Sequence, residues 1–565
     1  MRRDLGEVGK ALRERLARAW LYARTIHAAQ VVPQVRPAQL LEVARAARGQ
    51  PLGPHLAATF YAQVHPDKEA IVEYAAHGVQ RITWGALDAA INRLANALIA
   101  RGVDGSATGR RVAVMLPNGS EHLIAHLAIG RVGATIVSIG SHLKAREIAH
   151  ILGDAAPRVT VVHADALAAM TAARAEVGRA GAMIVVGDPP SDRPAELTAW
   201  PDALADAPSA RPVTARRERD AGAIVYTSGT TGAAKGALRT WRATGGEPIA
   251  DLMLQLGVRA DDRHLVVCPL YHSAAPGFAM MMMALGATLI VLNAFDAATA
   301  IDVIERERVT CTLMVPTMLR RLAELPGGLE LGRRTASLRW VMSAAAPLPT
   351  ETARQFMHRF GPVLWNFYGA TETGLVTLAG PDDHTARPGT IGRALRGAEI
   401  RLVDDAGRAV PDGTPGELYV RSAMQIAGYH KATAATEAAM RDGWFSVGDL
   451  GRRDADGYYY LVARKHDLVI SGGVNIYPRE IEDVLHAHPA IADAAVIGVP
   501  DPAWGESLRA FVVVRPGQAV TEAEVIAYCR AQLADYKRPR RVTFVAELPR
   551  NPTGKILKQA LRERP

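Results

Sequence analysis

Residues 223–236 read Ala-Ile-Val-Tyr-Thr-Ser-Gly-Thr-Thr-Gly-Ala-Ala-Lys-Gly, an apolar strand running straight into a loop of hydroxyls and glycines that ends in a lysine. Each residue type has a use in such a loop. Glycines let backbone N–H groups turn toward an anion. The hydroxyls of Thr227, Ser228, Thr230 and Thr231 add donors and Lys235 adds charge, so the stretch reads as a phosphate cradle. It is not a Walker A loop. That motif has four residues between its glycines and then Gly-Lys-Ser/Thr, whereas Gly229 and Gly232 have only two residues between them and Lys235 is followed by Gly236.

Outward from this loop, apolar strands alternate with amphipathic helices. Upstream, Thr83 is a helix N-cap followed by Trp84, Leu87, Ile91, Leu94 and Leu98 on one face. Strand RVAVMLP, helix HLIAHLAIG, strand ATIVSIG, helix KAREIAHIL and strand RVTVVHA follow, which is a doubly wound α/β pattern. A looser stretch, 187–217, is expected to separate this half from a second run of strands and helices beginning at Ala221. Around 389–420 the turn signals DDAG and PDGTPGE predict a small antiparallel β-unit. From His466 the chain starts afresh as a small α+β domain. The expected organisation is an N-terminal helical extension over 1–54, a large α/β domain over 55–465 and a small mobile domain over 466–565.

With 565 residues and 49% hydrophobic content the chain can build several buried cores, and disorder is excluded as its main state. The 66 basic and 57 acidic residues leave a net charge of +9, which suits polyanionic ligands. No concentrated Lys/Arg stripe interleaved with aromatics points to nucleic acid. Cys268, Cys311 and Cys529 form no CxxC pair, so neither a disulfide framework nor a zinc site is suggested and a cytoplasmic setting is expected. Residues 1–20 carry charges throughout, unlike a signal peptide. Leu5, Val8, Leu12, Leu16 and Trp20 recur at helical spacing; such a helix either docks on the protein's own body or lies on a membrane surface. The apolar run 265–295 is broken by Pro269, Pro276 and Gly286 into strand, helix and strand, which argues against a membrane span.

Several further motifs follow the loop in order: PLYHSAAP (269–276), SAAAPLP (343–349), NFYGATETG (366–374), GWFSVGDLG (443–451), ARKHDLVISGGVNIYPREIE (463–482) and NPTGKILK (551–558). Together with YTSGTTGAAKG, the set resembles the adenylate-forming acyl-CoA synthetases over roughly residues 55 to 560. The resemblance implies an acid–thiol ligase. A carboxylic acid and Mg·ATP would give acyl-AMP and pyrophosphate, and coenzyme A would then take the acyl group. It also implies roles. Tyr368 is the adenine-stacking ring, Thr371 an ATP phosphate contact and Glu372 a ligand of Mg²⁺, a hard oxygen donor where metal screens phosphate. Asp449 accepts from the ribose hydroxyls, with Arg464 a second ribose contact, and Ala345, Asn366 and Gly369 complete the nucleotide site. Lys555 is the catalytic lysine that bridges the substrate carboxylate and the α-phosphate, offsetting the repulsion of two anions. His272 stands at the acyl pocket. Gly472 and Gly473 line the tunnel for the pantetheine of CoA, and His466 occupies the hinge.

Departures from the family pattern bear on substrate. No aspartate occupies 269–276, where relatives that activate amino acids pair one with the ammonium, so an amino acid is disfavoured. The usual Ser-Gly-Gly is Ser343-Ala344-Ala345, and the usual Thr-His is Thr240-Trp241. Met280 to Met283 beside Phe278 are either a soft apolar pocket lining or plain core. The expected acid is hydrophobic, a medium- or long-chain fatty acid, with aryl or polycyclic acids as the rival. Within the superfamily the alternative is an acyl-AMP ligase that loads a carrier protein. From another class, an inactive ATP-binding scaffold conflicts with the intact Glu372, Asp449, Arg464 and Lys555.

Overall fold

A computed structural model of the chain describes residues 17–30, 51, 53–76, 78–104, 110–178, 181–190, 196–212, 222–227, 234–240, 246–471, 474–551 and 554–564. Two large sheets form the main body. The first has seven strands in the order Leu197–Ala199, Ala182–Val186, Val159–His163, Arg111–Met115, Thr135–Ser138, Gly222–Thr227 and Lys235–Thr240. Its neighbours are parallel except the last pair, in which Thr227 faces Lys235 across an antiparallel ladder. Strands such as Thr135–Ser138 and Arg111–Met115 are buried on both faces because helices cover both sides. Among these, Trp84–Ala100 is capped as expected, the Thr83 hydroxyl accepting from the Ala86 N–H at 3.3 Å.

The second sheet has nine strands and is parallel at its centre: Trp340–Ser343, Cys311–Met314, Arg263–Val266 and Thr288–Leu292 lie side by side there. One edge of each large sheet corrects the expected division of the chain. Glu69–Ala75 and Gly78–Thr83, which precede every strand of the first sheet, belong to the second. Gly222–Thr227 and Lys235–Thr240, expected to open a second half, close the first sheet instead. The stretch 187–217 is therefore no boundary, and it contributes the strand Leu197–Ala199 and the helix Trp200–Ala205 to the first sheet and its cover.

A six-stranded sheet of antiparallel pairs follows, containing Ala398–Val403, Gly416–Ser422, Asp449–Arg453 and Tyr459–Arg464. A single turn at Lys465–Asp467 leads to the last sheet, where Ile491–Asp501 and Gly505–Val514 form the central hairpin under the helices Pro478–His486 and Glu522–Gln532.

Leu5, Val8, Leu12 and Leu16 lie outside the described residues. The helix over 17–28 docks on the body: Leu21, Thr25 and Ala29 are buried, the Thr25 hydroxyl donates to the Ala250 carbonyl at 3.4 Å, and Arg18 pairs with Glu247 at 2.7 Å. Trp20 is 57% exposed. No helix among the described residues is long and apolar enough to cross a membrane. The Met280–Met283 run lies on the helix Ala274–Ala284 and packs into the main core with Phe278.

Candidate active site

A cavity of about 260 Å³ opens where the nine-stranded and six-stranded sheets meet the C-terminal part, and Ala345, Asn366, Tyr368, Gly369, Asp449, Arg464 and Lys555 all line it. Four separate local structures bring them there. Asn366, Tyr368 and Gly369 stand on the strand Leu364–Ala370, and Ala345 follows the strand Trp340–Ser343. Asp449 and Arg464 are cross-strand partners in the six-stranded sheet, and Lys555 comes from the C-terminal tail.

Asp449 is the node of one side. Its Oδ2 accepts from the Tyr368 hydroxyl at 2.9 Å, and its Oδ1 pairs with Arg464 Nε at 3.1 Å. Burial, then the neighbouring Asp449 charge, raises the Tyr368 phenol well above its ordinary range, so it stays a neutral donor. A carboxylate fixed from two sides and facing a cavity is suited to accept paired hydroxyls, as a ribose presents them.

Glu372, Thr371, Thr227 and Lys235 do not line the cavity; the buried Glu372 accepts at Oε1 from Thr227 Oγ1 at 3.2 Å and from the Tyr429 hydroxyl at 3.1 Å. It makes no ion pair among the described residues, and no group of three or more His, Cys, Asp or Glu there could hold a metal by itself. One carboxylate with only hydroxyl partners fits Mg²⁺ that arrives on a nucleotide, since this ion keeps most of its shell as water and phosphate oxygen. Bound there, the ion would screen phosphate charge. Thr371 lies beside it, its hydroxyl 3.0 Å from Ser273 Oγ and its carbonyl accepting from Arg239 Nη2 at 2.6 Å. Arg239 also donates to the Met424 carbonyl at 2.9 Å; burial lowers its guanidinium from the ordinary value, against the pull of Glu372. Lys235 places its ammonium 5.6 Å from the centre of the Tyr429 ring.

Lys555 has no carboxylate of the described residues at ion-pair distance. Burial, and next the Arg464 charge, lowers its ammonium from 10.5 to about 8, against the opposing pull of Asp449, Asp467 and Glu372. A half-buried cation with no fixed partner is poised for anions that come with substrate. His272 does not line the cavity. Its Nε2 is buried without a hydrogen-bond partner among the described residues, and burial lowers the ring to about 4, so it is a neutral imidazole. Ala345 holds a left-handed φ of 69° where the family pattern has glycine.

Ser228, Gly229, Thr230, Thr231 and Gly232 of the expected cradle, with Trp241, Gly472 and Gly473, lie outside the described residues. The motifs did not single out Arg239, Ser273 or Tyr429. Arg239 carried one readable signal, a charge within a short strand, but its partners are 132 and 185 positions away.

Residues 59–430 match the AMP-binding enzyme family and residues 480–555 match the AMP-binding enzyme C-terminal domain. The chain belongs to the AMP-binding enzyme family. It is similar to a feruloyl-CoA synthase of an Amycolatopsis species, at 35% identity over 86% of this chain and 95% of that protein. A long-chain-fatty-acid–CoA ligase of Mycobacterium tuberculosis is 33% identical over 89% of this chain and 96% of its own length. Among solved structures, ATP-bound MatB from Rhodopseudomonas palustris superposes with a TM-score of 0.77 at 33% identity, covering 90% of this chain and 98% of that one. This AMP-binding enzyme is thus an AMP-forming acid–thiol ligase, with ATP, Mg²⁺, coenzyme A and a small carboxylic acid as its reaction partners.

Proposed function

We propose that the enzyme activates a hydrophobic carboxylic acid, a medium- or long-chain fatty acid, and that Lys555 drives the first half-reaction. The observation that carries the mechanism is the Lys555 ammonium, half-buried in the cavity with Asp449 and Arg464 and without a fixed counter-carboxylate. Asp449 and Arg464 hold the ribose, Tyr368 lies against the adenine, and Thr371 with Glu372 receives the phosphates and their Mg²⁺. Lys555 then donates to both the acid carboxylate and the α-phosphate, so that attack in line forms the mixed anhydride and releases pyrophosphate. The acid approaches past His272, whose neutral ring adds no competing charge. The thiol of CoA next attacks the acyl carbon and expels AMP, reaching it beside Gly472 and Gly473. The region 466–565 moves about His466 between the two steps, and 1–54 is an N-terminal extension to the catalytic body.

The hydrophobic acid is supported by the apolar helix Ala274–Ala284 directly after His272 and by the absence of an acidic residue in 269–276. A second reading, an aryl acid, is favoured by the stacked Phe278 and Phe367 rings, 5.6 Å apart at 23°, and by relatives named for feruloyl and indoleacetate substrates. Pyrophosphate release with Mg·ATP across fatty, aryl and amino acids, with products identified by mass spectrometry with and without CoA, separates these readings. Acyl-CoA from one fatty chain-length class is expected. Turnover only with aryl acids would overturn the fatty-acid reading.

A further inference from the structure

Lys555 sits in a loop held by Arg550, which lines the active-site cavity together with Asp493 and Arg320. The Arg550 guanidinium donates from Nη1 to the Gly554 carbonyl, just before Lys555, and from Nη2 to Asp493 Oδ2 at 2.6 Å. Asp493 Oδ2 also pairs with Arg320 at 3.1 Å, and Arg320 donates to the Ala492 carbonyl at 2.8 Å. Arg320 belongs to the helix Pro316–Glu324, between strands of the nine-stranded sheet, whereas Asp493 and Arg550 belong to the C-terminal part. The other oxygen of Asp493 accepts from the Ala494 N–H at 3.0 Å and faces His486 Nε2 at 3.3 Å. Asp493 is buried. Its burial opposes charge, but the His486 contact, Arg550 and Arg320 outweigh that and hold the carboxyl below its ordinary range. One helical turn before Arg320, Thr317 seats the loop itself: a Cβ on Gly554, whose φ is 76°, would stand 2.9 Å from the Thr317 hydroxyl.

Other contacts across the same junction do not reach the loop. Arg515 pairs with Glu324 at 3.1 Å at the far end of that helix, and both are more exposed. Arg479 donates to the Leu348 carbonyl at 2.8 Å. Among the described residues, the polar chain Arg320, Asp493, Arg550 runs from the large sheet to the Gly554 carbonyl, next to Lys555.

We propose that Arg320, Asp493 and Arg550 form a relay that positions Lys555 for adenylation: the large domain supplies Arg320, and docking it on Asp493 fixes the guanidinium that holds the Lys555 loop. The relay rests on the reading of Lys555 as the adenylation lysine. It acts through Lys555, so its members are positioning residues. When the C-terminal part turns for the second half-reaction, Arg320 stays behind while Asp493 and Arg550 travel together, and the relay is broken in that step.

The test separates the two half-reactions in the full-length chain: acid-dependent pyrophosphate release with Mg·ATP, and thioester formation from supplied acyl-AMP and CoA. Arg320→Gln and Arg550→Gln are expected to slow the first about 10- to 100-fold, the cost of a misplaced catalytic group, with the KM for ATP and the second half-reaction unchanged. Arg320→Lys should recover most of the lost rate. Arg515→Gln, which removes an exposed pair, should leave both half-reactions near wild type. Retained thioester formation certifies that each variant is folded. Adenylation unaffected in Arg320→Gln and Arg550→Gln, or both half-reactions slowed alike, or Arg515→Gln matching Arg320→Gln, would overturn the relay. Lys555→Ala run alongside distinguishes the failures. If it spares adenylation, the reading of Lys555 falls; if it abolishes adenylation while the arginine variants do not, the relay alone falls.

Discussion

Alkaline pH should switch off the first half-reaction unusually early, because the ammonium on which it depends is partly desolvated. Lys555 moves from 10.5 to about 8, first through burial and then through the Arg464 charge. At about 1.4 kcal/mol per pH unit, the site disfavours the cation by about 3 kcal/mol before ATP and acid arrive. The sign follows. The active form is the ammonium, and a lowered value means that the free enzyme loses it as pH rises through about 8. For adenylation, kcat/KM should therefore be level below about pH 7, half its plateau near 8, and fall about tenfold for each further unit. A lysine at its ordinary value would hold the plateau to about pH 10. The bound carboxylate and α-phosphate favour the ammonium, so the fall in kcat should lie at higher pH than the fall in kcat/KM. Arg at position 555 stays protonated across this range, so Lys555→Arg should be slower but lack the alkaline fall. Acid-dependent ATP–pyrophosphate exchange, with thermal melting recorded at each pH, reads all of this. A fall in kcat/KM that begins only near pH 10, or one that persists in Lys555→Arg, would refute the assignment.

Lys555→Ala should abolish adenylation yet form acyl-CoA from supplied acyl-AMP, which a CoA-thioester assay measures directly. Gly473→Leu should slow thioester formation more than pyrophosphate release, and equal loss in both would remove the tunnel reading. Ala345 already occupies a left-handed φ of 69°, so Ala345→Gly should leave the melting temperature unchanged or raised, while Ala345→Val should cost at least ~1 kcal/mol in denaturant unfolding. Leu21→Ala should destabilise by about 2 kcal/mol because Leu21 is buried where the 17–28 helix docks, whereas Trp20→Ala, at an exposed site, should cost under ~0.5 kcal/mol.

Much of the fold was legible because its signals are local. The Thr83 cap, the periodic apolar face of Trp84–Ala100 and the breaks at Pro269 and Gly286 are properties of neighbours in the chain, and the elements formed where those signals lie, whereas Pro276 falls in the first turn of the helix Ala274–Ala284 and breaks nothing. The partition between sheets was not legible. The Pro- and Ala-rich texture of 187–217 reads as a linker, yet Leu197–Ala199 pairs with Ala182–Val186 and the strands after it close the same sheet. Texture reports the preference of a segment for turns, not the partner its edge will find. For the site, motif order brought Tyr368, Asp449, Arg464 and Lys555 to notice, and the fold gathers all four around one cavity. His272 stands apart from that cavity, and Arg239, Tyr429 and Asp493 were missed because each takes its meaning from partners far away in the chain.

By itself the sequence determined the α/β class, the ordered motifs, the chemistry of each functional group and the hydrophobic texture after His272. Those are matters of residue type, spacing and hydrophobic period, which depend on covalent neighbours. The tertiary structure alone decided which sheet owns residues 69–83, that Glu372 is buried with only hydroxyl partners, that Lys555 loses part of its solvent, and that Arg320 reaches the lysine loop through Asp493. The physical reason is that desolvation and Coulomb energy depend on distance in space, and chain closure sets those distances only after strands far apart in sequence have paired.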